Sequence, residues 1–482
     1  MNRYQDTYEL ILELKKENAF FFQKLNLNRK FEILDRINEI GTRADIIHLI
    51  PLAEHKNKRL REKTVKTIEV LFNKIKTKND IYNSLRYCHI LFKNLDTYQG
   101  IYKKKHLTPL LIIASMNKNG FVRERAIKGF NKHQNPKVIR YLLFRLGDWV
   151  EQVRKTAKTT LDDFLKLEYF EEFIEQLSTI EWLLKVNRVN LEVEYKKVLD
   201  FLTIDNLDYL LQVFPKQKEK NRFLLARYIL KEENIESQII QVLLKDKNFL
   251  VRKLVAKNIE KLYTKDLKEA LLKDKHNKVR LYTLYSLLKL NKLTSEEWKP
   301  FLLDKSFWIR DLARFELRTE NIDFVLFYKE YIAQNEFLNI AILGLGEVET
   351  TKEVEHLKEY LYHKNESVRQ SAAISIIKMD EYAIDDYLIQ KLSSDDKPVK
   401  KIAINHLSLH PDNEMLDKIR AIYDEAKPIT KISILQLLSK VNSKRIYHDL
   451  LKGLEEENQD FKEMASKYLM YWEKRSSYRI FE

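Results

Sequence analysis

The sequence predicts an all-α chain, an elongated right-handed α-solenoid of about fourteen helical hairpins. Three observations predict it: glycine and proline are scarce, one short motif returns about every 30 residues, and apolar residues recur with helical spacing. The 482 residues include only 8 glycines and 8 prolines, where usage of about 7 % and 5 % is ordinary. Turns of types II, I′ and II′ need positive φ, which glycine supplies at least steric cost. A chain this poor in glycine builds few β-hairpins and many helices joined by short polar turns.

The motif is a polar turn, an apolar residue, Arg or Lys, and then a small residue three or four positions on. It reads Phe121-Val122-Arg123…Ala126, Val153-Arg154…Ala157, Arg222…Ala226, Val251-Arg252…Ala256, Val279-Arg280, Ile309-Arg310…Ala313, Val368-Arg369…Ala372 and Val399-Lys400…Ala403. Weaker copies sit at Leu60-Arg61, Leu338-Asn339…Ala341, Lys431-Ile432 and Phe461-Lys462…Ala465. Successive basic positions are 28 to 31 residues apart: 31 from Arg123 to Arg154, 30 from Arg222 to Arg252, 28 from Arg252 to Arg280 and 30 from Arg280 to Arg310. The 68 residues from Arg154 to Arg222 leave room for a diverged copy near Arg188, and the 62 from Arg61 to Arg123 for one near Leu91-Phe92. Repetition at this period marks a stack of supersecondary units.

Each unit reads as two amphipathic helices. Val354, Leu357 and Leu361 mark the buried face of a first helix, and Val153, Ala157, Leu161 and Phe164 that of a second. Asp148, Asp246, Asp274 and Asp304 stand in the intervening turns, six residues before an arginine. They are expected to cap the second helix by accepting backbone N–H bonds. Gly346 of Gly344-Leu345-Gly346 reads as a helix C-cap; a third glycine for a dinucleotide fingerprint is missing, since Glu349 stands there.

The pattern Asp-x4-Val/Ile-Arg-x2-Ala resembles HEAT repeats, specifically the short bacterial type named after phycobilisome lyases. Ala341 to Val348, followed by Val354, Leu357, Leu361 and Ser367-Val368-Arg369, is nearest that consensus. The resemblance spans residues 45–470. It implies a ladder in which turn aspartates and arginines of adjacent repeats pair, so that Asp148, Arg154, Asp246, Arg252, Asp274, Arg280, Asp304, Arg310 and Arg369 are structural. Residues 1–45, with Phe20, Phe21, Phe22 and Leu25, are expected to form an N-terminal helical cap. Residues 46–472 form the solenoid, which ends on Tyr468, Met470, Tyr471 and Trp472, and 473–482 are a frayed tail.

The net charge is +15, divided unevenly: residues 1–300 carry 59 basic and 39 acidic side chains, residues 301–482 carry 27 and 32. A basic stretch of this length points to a polyanionic partner, or to lysines that solvate helix faces. Three successive turns carry lysines: Lys245 and Lys247; Lys273, Lys275 and Lys278; and Lys305. Equivalent turns of a solenoid stack along one edge, so these are expected to form a basic ridge, extended by Lys216, Lys218 and Lys220, that binds phosphates with steeply salt-dependent affinity. Lys103-Lys104-Lys105 is a further basic run.

Catalytic motifs are not found. His406 and His410 are spaced i, i+4, but no His-Glu-x-x-His accompanies them. Glu54-His55 and Glu355-His356 reverse the His-Glu order of iron-binding HEAT-repeat hydroxylases and are two pairs where that family has four. HEAT-like DNA glycosylases of the AlkD type place an aromatic and an acidic residue on the concave face; their pattern is not matched. Cys88, the one cysteine, lies in the apolar run Tyr87–Phe92 and is expected to be a buried thiol. Neither a signal peptide nor a membrane span is read, so a cytoplasmic protein without cofactor or metal is expected. The expected function is a non-catalytic scaffold that binds a protein partner on its concave surface, as a monomer or a subunit of a hetero-complex. The alternative is a nucleic-acid binder using the basic ridge.

Overall fold

The computed structural model describes residues 3–15, 27–74, 85–232, 235–348, 351–409 and 411–475. Among them every regular element is helical. The chain divides into two compact units, Met1–Leu262 and Tyr263–Glu482, with the boundary inside the 28-residue interval from Arg252 to Arg280. Each unit is a stack of helical hairpins. The expected N-terminal residues Phe20, Phe21, Phe22 and Leu25, and the tail beyond Arg475, lie outside the described residues. Helices Arg3–Lys15 and Leu27–Ile40 precede the stack, joined by the Arg29–Glu13 pair at 2.9 Å.

In the Arg154 repeat the hairpin is Ile139–Leu146 followed by Glu151–Phe164. Val153, Ala157, Leu161 and Phe164 are buried along the second helix, as their spacing requires. The diverged copies are present as the second helices Phe92–Ile101 and Glu192–Thr203. Neighbouring second helices pack side by side, Gly120–His133 on Glu151–Phe164 and Leu338–Val348 on Glu366–Met379. First helices are joined by a tyrosine series: the Tyr328 hydroxyl donates to the Leu302 carbonyl at 3.1 Å and that of Tyr387 to Leu361 at 2.8 Å, each 26 residues back. The C-terminal unit holds a continuous core from Tyr328 to Trp472, and the Trp472 indole donates to the Val441 carbonyl at 2.9 Å. Met470 and Tyr471, expected to close that end with it, are exposed.

The arginines tie the hairpins together at the turns. Arg123 donates through Nη1 to the Asn117 and Lys118 carbonyls of its own turn, and through Nε and Nη2 to both oxygens of Asp148 in the next turn, at 2.9 and 2.6 Å. Arg222 repeats this with the Gln217 carbonyl and Asp246, and Arg280 with the Asp274 carbonyl and Asp304. Arg369 holds the His363 carbonyl and Asp396. Arg123, Arg222 and Arg280 thus clamp two successive turns with the planar fork that suits a carboxylate, and Arg369 does so through Nε alone. Arg252 donates to the carbonyls of Asp246 and Lys247.

Two members depart from the expected ladder. Among the described residues Arg154 meets only the carbonyls of Asp148 and Trp149, because the diverged repeat after it has no turn aspartate. Arg310 holds the Asp304 carbonyl but turns its fork to Glu347, a residue of the next second helix, since Gln334-Asn335 stands where the aspartate would. Arg314 shares Glu347 at 2.8 Å and donates to the Tyr328 hydroxyl.

Two capping expectations are corrected. The turn aspartates do not cap the second helix. Asp148, Asp246, Asp274 and Asp304 accept the N–H two residues on, an Asx turn ahead of the helix. The cap itself lies four residues before the arginine: Asn119 and Asn248 accept the N–H of Phe121 and Leu250, and Asn365 that of Ser367. Six residues before the arginine, these carboxylates stand too far from the helix end to do both, whereas Asp396, at the cap position four residues before Lys400, takes Arg369 and the Val399 N–H together. Gly346 is not a C-cap either, for the helix runs from Leu338 to Val348. A Cβ on Gly346 would lie 2.4 Å from Ser375 Cβ, and one on Gly344 2.2 Å from the Tyr328 ring. The two glycines let this helix sink between its neighbours.

Candidate functional site

The clamps put consecutive turns within one guanidinium's reach, so whatever the turns expose forms an edge. In the N-terminal unit, Arg222 bonds the turn carrying Lys216, Lys218 and Lys220 to the one carrying Lys245 and Lys247. In the C-terminal unit, Arg280 bonds the turn of Lys273, Lys275 and Lys278 to that of Lys305. All nine lysines are exposed. Lys218 pairs with Glu175 at 2.5 Å and Lys273 with Glu269 at 3.8 Å; the described residues give the other seven no carboxylate. The expected ridge residues lie on both units, Lys216, Lys218, Lys220, Lys245 and Lys247 on the N-terminal one and Lys273, Lys275, Lys278 and Lys305 on the C-terminal one. The aspartates interleaved with these lysines do not neutralise them, because each carboxylate is buried against an arginine or the turn backbone.

Burial sets the electrostatics at the clamps. Desolvation alone would raise the Asp148 carboxyl, but the Arg123 hydrogen bonds, the Arg145 charge and the Val150 N–H outweigh it and hold the group below its ordinary 3.8. Arg145 reaches Asp148 at 2.7 Å, so one buried carboxylate serves two guanidiniums.

Sequence reasoning missed two exposed apolar surfaces. In the N-terminal unit Trp149 is 79 % and Phe121 74 % exposed, at the edge of successive turns. The Arg188 guanidinium lies 4.2 Å from the Trp149 ring centre. In the C-terminal unit Tyr285, Phe315 and Ile374 are exposed on second helices, each five residues after its repeat's arginine. Phe307 and Trp308 begin the helix that carries Phe315. Lys378, in the helix of Ile374, lies 4.9 Å from the Phe307 ring, bridging over the sunken helix Leu338–Val348. The signal was legible as large apolar residues off the buried helical stripe.

The remaining candidates gather no reactive constellation. Among the described residues no three metal-ligating side chains cluster. His406 is buried with Nε2 2.8 Å from the Glu381 carbonyl and 3.4 Å from Asp385, and His410 lies outside the described residues. His55 accepts the Asn57 N–H, and Glu355 pairs with Lys358. Cys88 is buried and its thiol pushed up to about 12 by desolvation. A cleft of about 360 Å³ in the C-terminal unit is lined by Tyr362, Tyr382, Asp385, Asp386 and Lys418, with Lys418 on Asp386 at 2.9 Å. No described helix is long and apolar enough to cross a membrane.

No protein-family model matches the chain, and no curated protein matches it. Among solved structures, it is similar to importin beta at 13 % identity, over 97 % of this chain and 65 % of that one, with a TM-score of 0.31. It is similar to a mutant of Kap121p at 10 % identity, over 98 % and 54 %, with a TM-score of 0.30. An engineered protein matches at 13 % identity over 98 % and 99 %, with a TM-score of 0.16. The chain thus spans 65 % of the length of importin beta and 54 % of that of the Kap121p mutant. The helical-hairpin fold stands on the clamps and packing described above.

Proposed function

We propose that the chain is a non-catalytic α-solenoid scaffold that holds a protein partner on the second-helix face of its C-terminal unit. The observation that carries this reading is the exposed row Tyr285, Phe315 and Ile374 at one repeat position, beside Phe307 and Trp308. Large aromatic and aliphatic side chains on a solvated helix face are what a partner interface uses, and aromatic anchors dominate binding energy. Changing Tyr285, Phe315 and Ile374 to serine leaves the buried stripe intact. Affinity capture with the full chain and this triple variant is the test. A partner retained by the wild type and lost from the variant, at unchanged helical content, supports the reading. Identical capture by both sinks it.

A second reading, nucleic-acid binding, is favoured by a separate observation: nine exposed turn lysines, seven of them without a carboxylate among the described residues. Binding of labelled single- and double-stranded DNA and RNA at two salt concentrations tests it. A variant with Lys245, Lys247, Lys273, Lys275 and Lys278 changed to glutamate runs alongside. Salt-sensitive binding that the variant loses is the expected result. Absence of binding at low salt leaves the lysines as a solvated edge.

A further inference from the structure

We infer that the turn edge of the N-terminal unit is a binding site for single-stranded nucleic acid, with Trp149 and Phe121 as stacking platforms for unpaired bases. The inference rests on the nucleic-acid reading and adds what kind of strand is held, and where.

Three successive turns meet at this edge. Arg123 joins the first to the second through Asp148, and a Cβ on Gly120 would touch Val150 at 3.0 Å. The second meets the third where a Cβ on Gly147 would touch Val186 at 3.1 Å and where Arg188 stacks on Trp149. Phe121 and Trp149 therefore flank one contact, and both are more exposed than any other aromatic side chain described in the unit. Neither is needed by the core. The buried positions of their helices are held by Val122, Ala126, Val153 and Ala157.

The charge around the two rings is one-sided. Lys118, Lys185 and Arg188 are exposed there. The carboxylates nearby are spent: Asp148 on Arg123 and Arg145, Glu151 on Lys155, Glu181 on Arg227. Farther along the unit, the clamped turns add Lys216, Lys218, Lys220, Lys245 and Lys247. Exposed aromatic faces set in a cationic groove are the composition that holds single strands without sequence preference. Each base offers a π-face to the ring while phosphates take the lysines, and the guanidinium already on Trp149 adds its own charge to the stack. A duplex keeps its bases paired and offers such rings nothing, so the pair of aromatics selects against it.

Fluorescence polarisation with labelled oligothymidylate, oligouridylate and a duplex, at about 50 and about 200 mM salt, reads this out. The full chain is compared with Trp149→Ala, Phe121→Ala, Trp149→Phe, and a variant with Lys216, Lys218, Lys220, Lys245 and Lys247 changed to glutamate. Trp149→Ala is expected to weaken single-strand binding about tenfold, the order that losing one stacked base gives, while leaving the salt slope and duplex binding unchanged. Trp149→Phe should keep most of the affinity, and the lysine variant should flatten the salt slope for every probe. The two oligonucleotides separate DNA from RNA as the strand preferred. Wild-type affinity in Trp149→Ala, or equal affinity for duplex and single strands, overturns the inference while the lysine edges stand. No binding by the wild type at low salt removes both.

Discussion

Replacing Asp148 by alanine strands two guanidiniums, Arg123 and Arg145, in a site from which water is excluded. Removing one partner of a buried ion pair costs about 3–5 kcal/mol, far more than the intact pair contributes against an apolar substitute. Urea denaturation of Asp148→Ala is expected to show a loss of that order in the N-terminal unit, and Arg123→Lys a smaller one, since an ammonium cannot reproduce the two-pronged contact. The depressed carboxyl also fixes a pH dependence. A group whose folded value lies below its unfolded value contributes stability above about pH 4, and loses it as pH falls toward the folded value. Asp148→Asn should flatten the acid limb of the stability curve in that window. Cys88 supplies a separate check. Its thiol, raised to about 12 by burial, should resist alkylation at pH 8 in the native protein and react on unfolding.

The helix Leu338–Val348 shows at the element scale how much of this fold is written in local sequence. Alanine is the better helix former by about 1 kcal/mol, so propensity alone favours Gly346→Ala. The added Cβ would meet the Ser375 backbone at 2.7 Å, and overpacking of this kind costs about 1–3 kcal/mol. Gly346→Ala and Gly344→Ala should both lower the denaturation midpoint of the C-terminal unit. Reading Gly346 as a terminus from sequence failed because its reason, Ser375, lies 29 residues on in another helix. The hairpins themselves were legible, since apolar spacing and the recurrent arginine are local signals that packing repeats. The capping asparagines were legible too, at a fixed offset of four from the arginine, and were passed over for the aspartates. The lysine turns are exposed, and their division between two units was not read from the sequence, because the 28-residue interval from Arg252 to Arg280 differs from its neighbours by only two residues.

In the molecule as a whole, contacts run mainly between neighbouring repeats, so stability adds along the chain without spreading over it. Arg310→Ala should increase hydrogen exchange in the helices Phe307–Glu316 and Leu338–Val348 and leave the helices Gly120–His133 and Glu151–Phe164 at wild-type protection. Chemical unfolding should be broad, with transitions that differ between probes of the two units. The clamps also have a direction. Arg123 and Arg222 in the N-terminal unit, and Arg280 and Arg369 in the C-terminal unit, each reach forward to a carboxylate of the turn that follows. In the N-terminal unit, among the described residues, Arg154 finds only carbonyls, and the forward pairing resumes at Arg222. Between them the layers are joined by rings, Phe170 and Phe173 against Phe201 and Tyr209, and by the single-contact ion pairs Lys158–Glu194, Lys197–Asp162 and Arg227–Glu181. Under tension, this unit should part first where the forward clamp is missing, and the force at that step should be lower in brine than in fresh water, because the exposed ion pairs there are screened by salt.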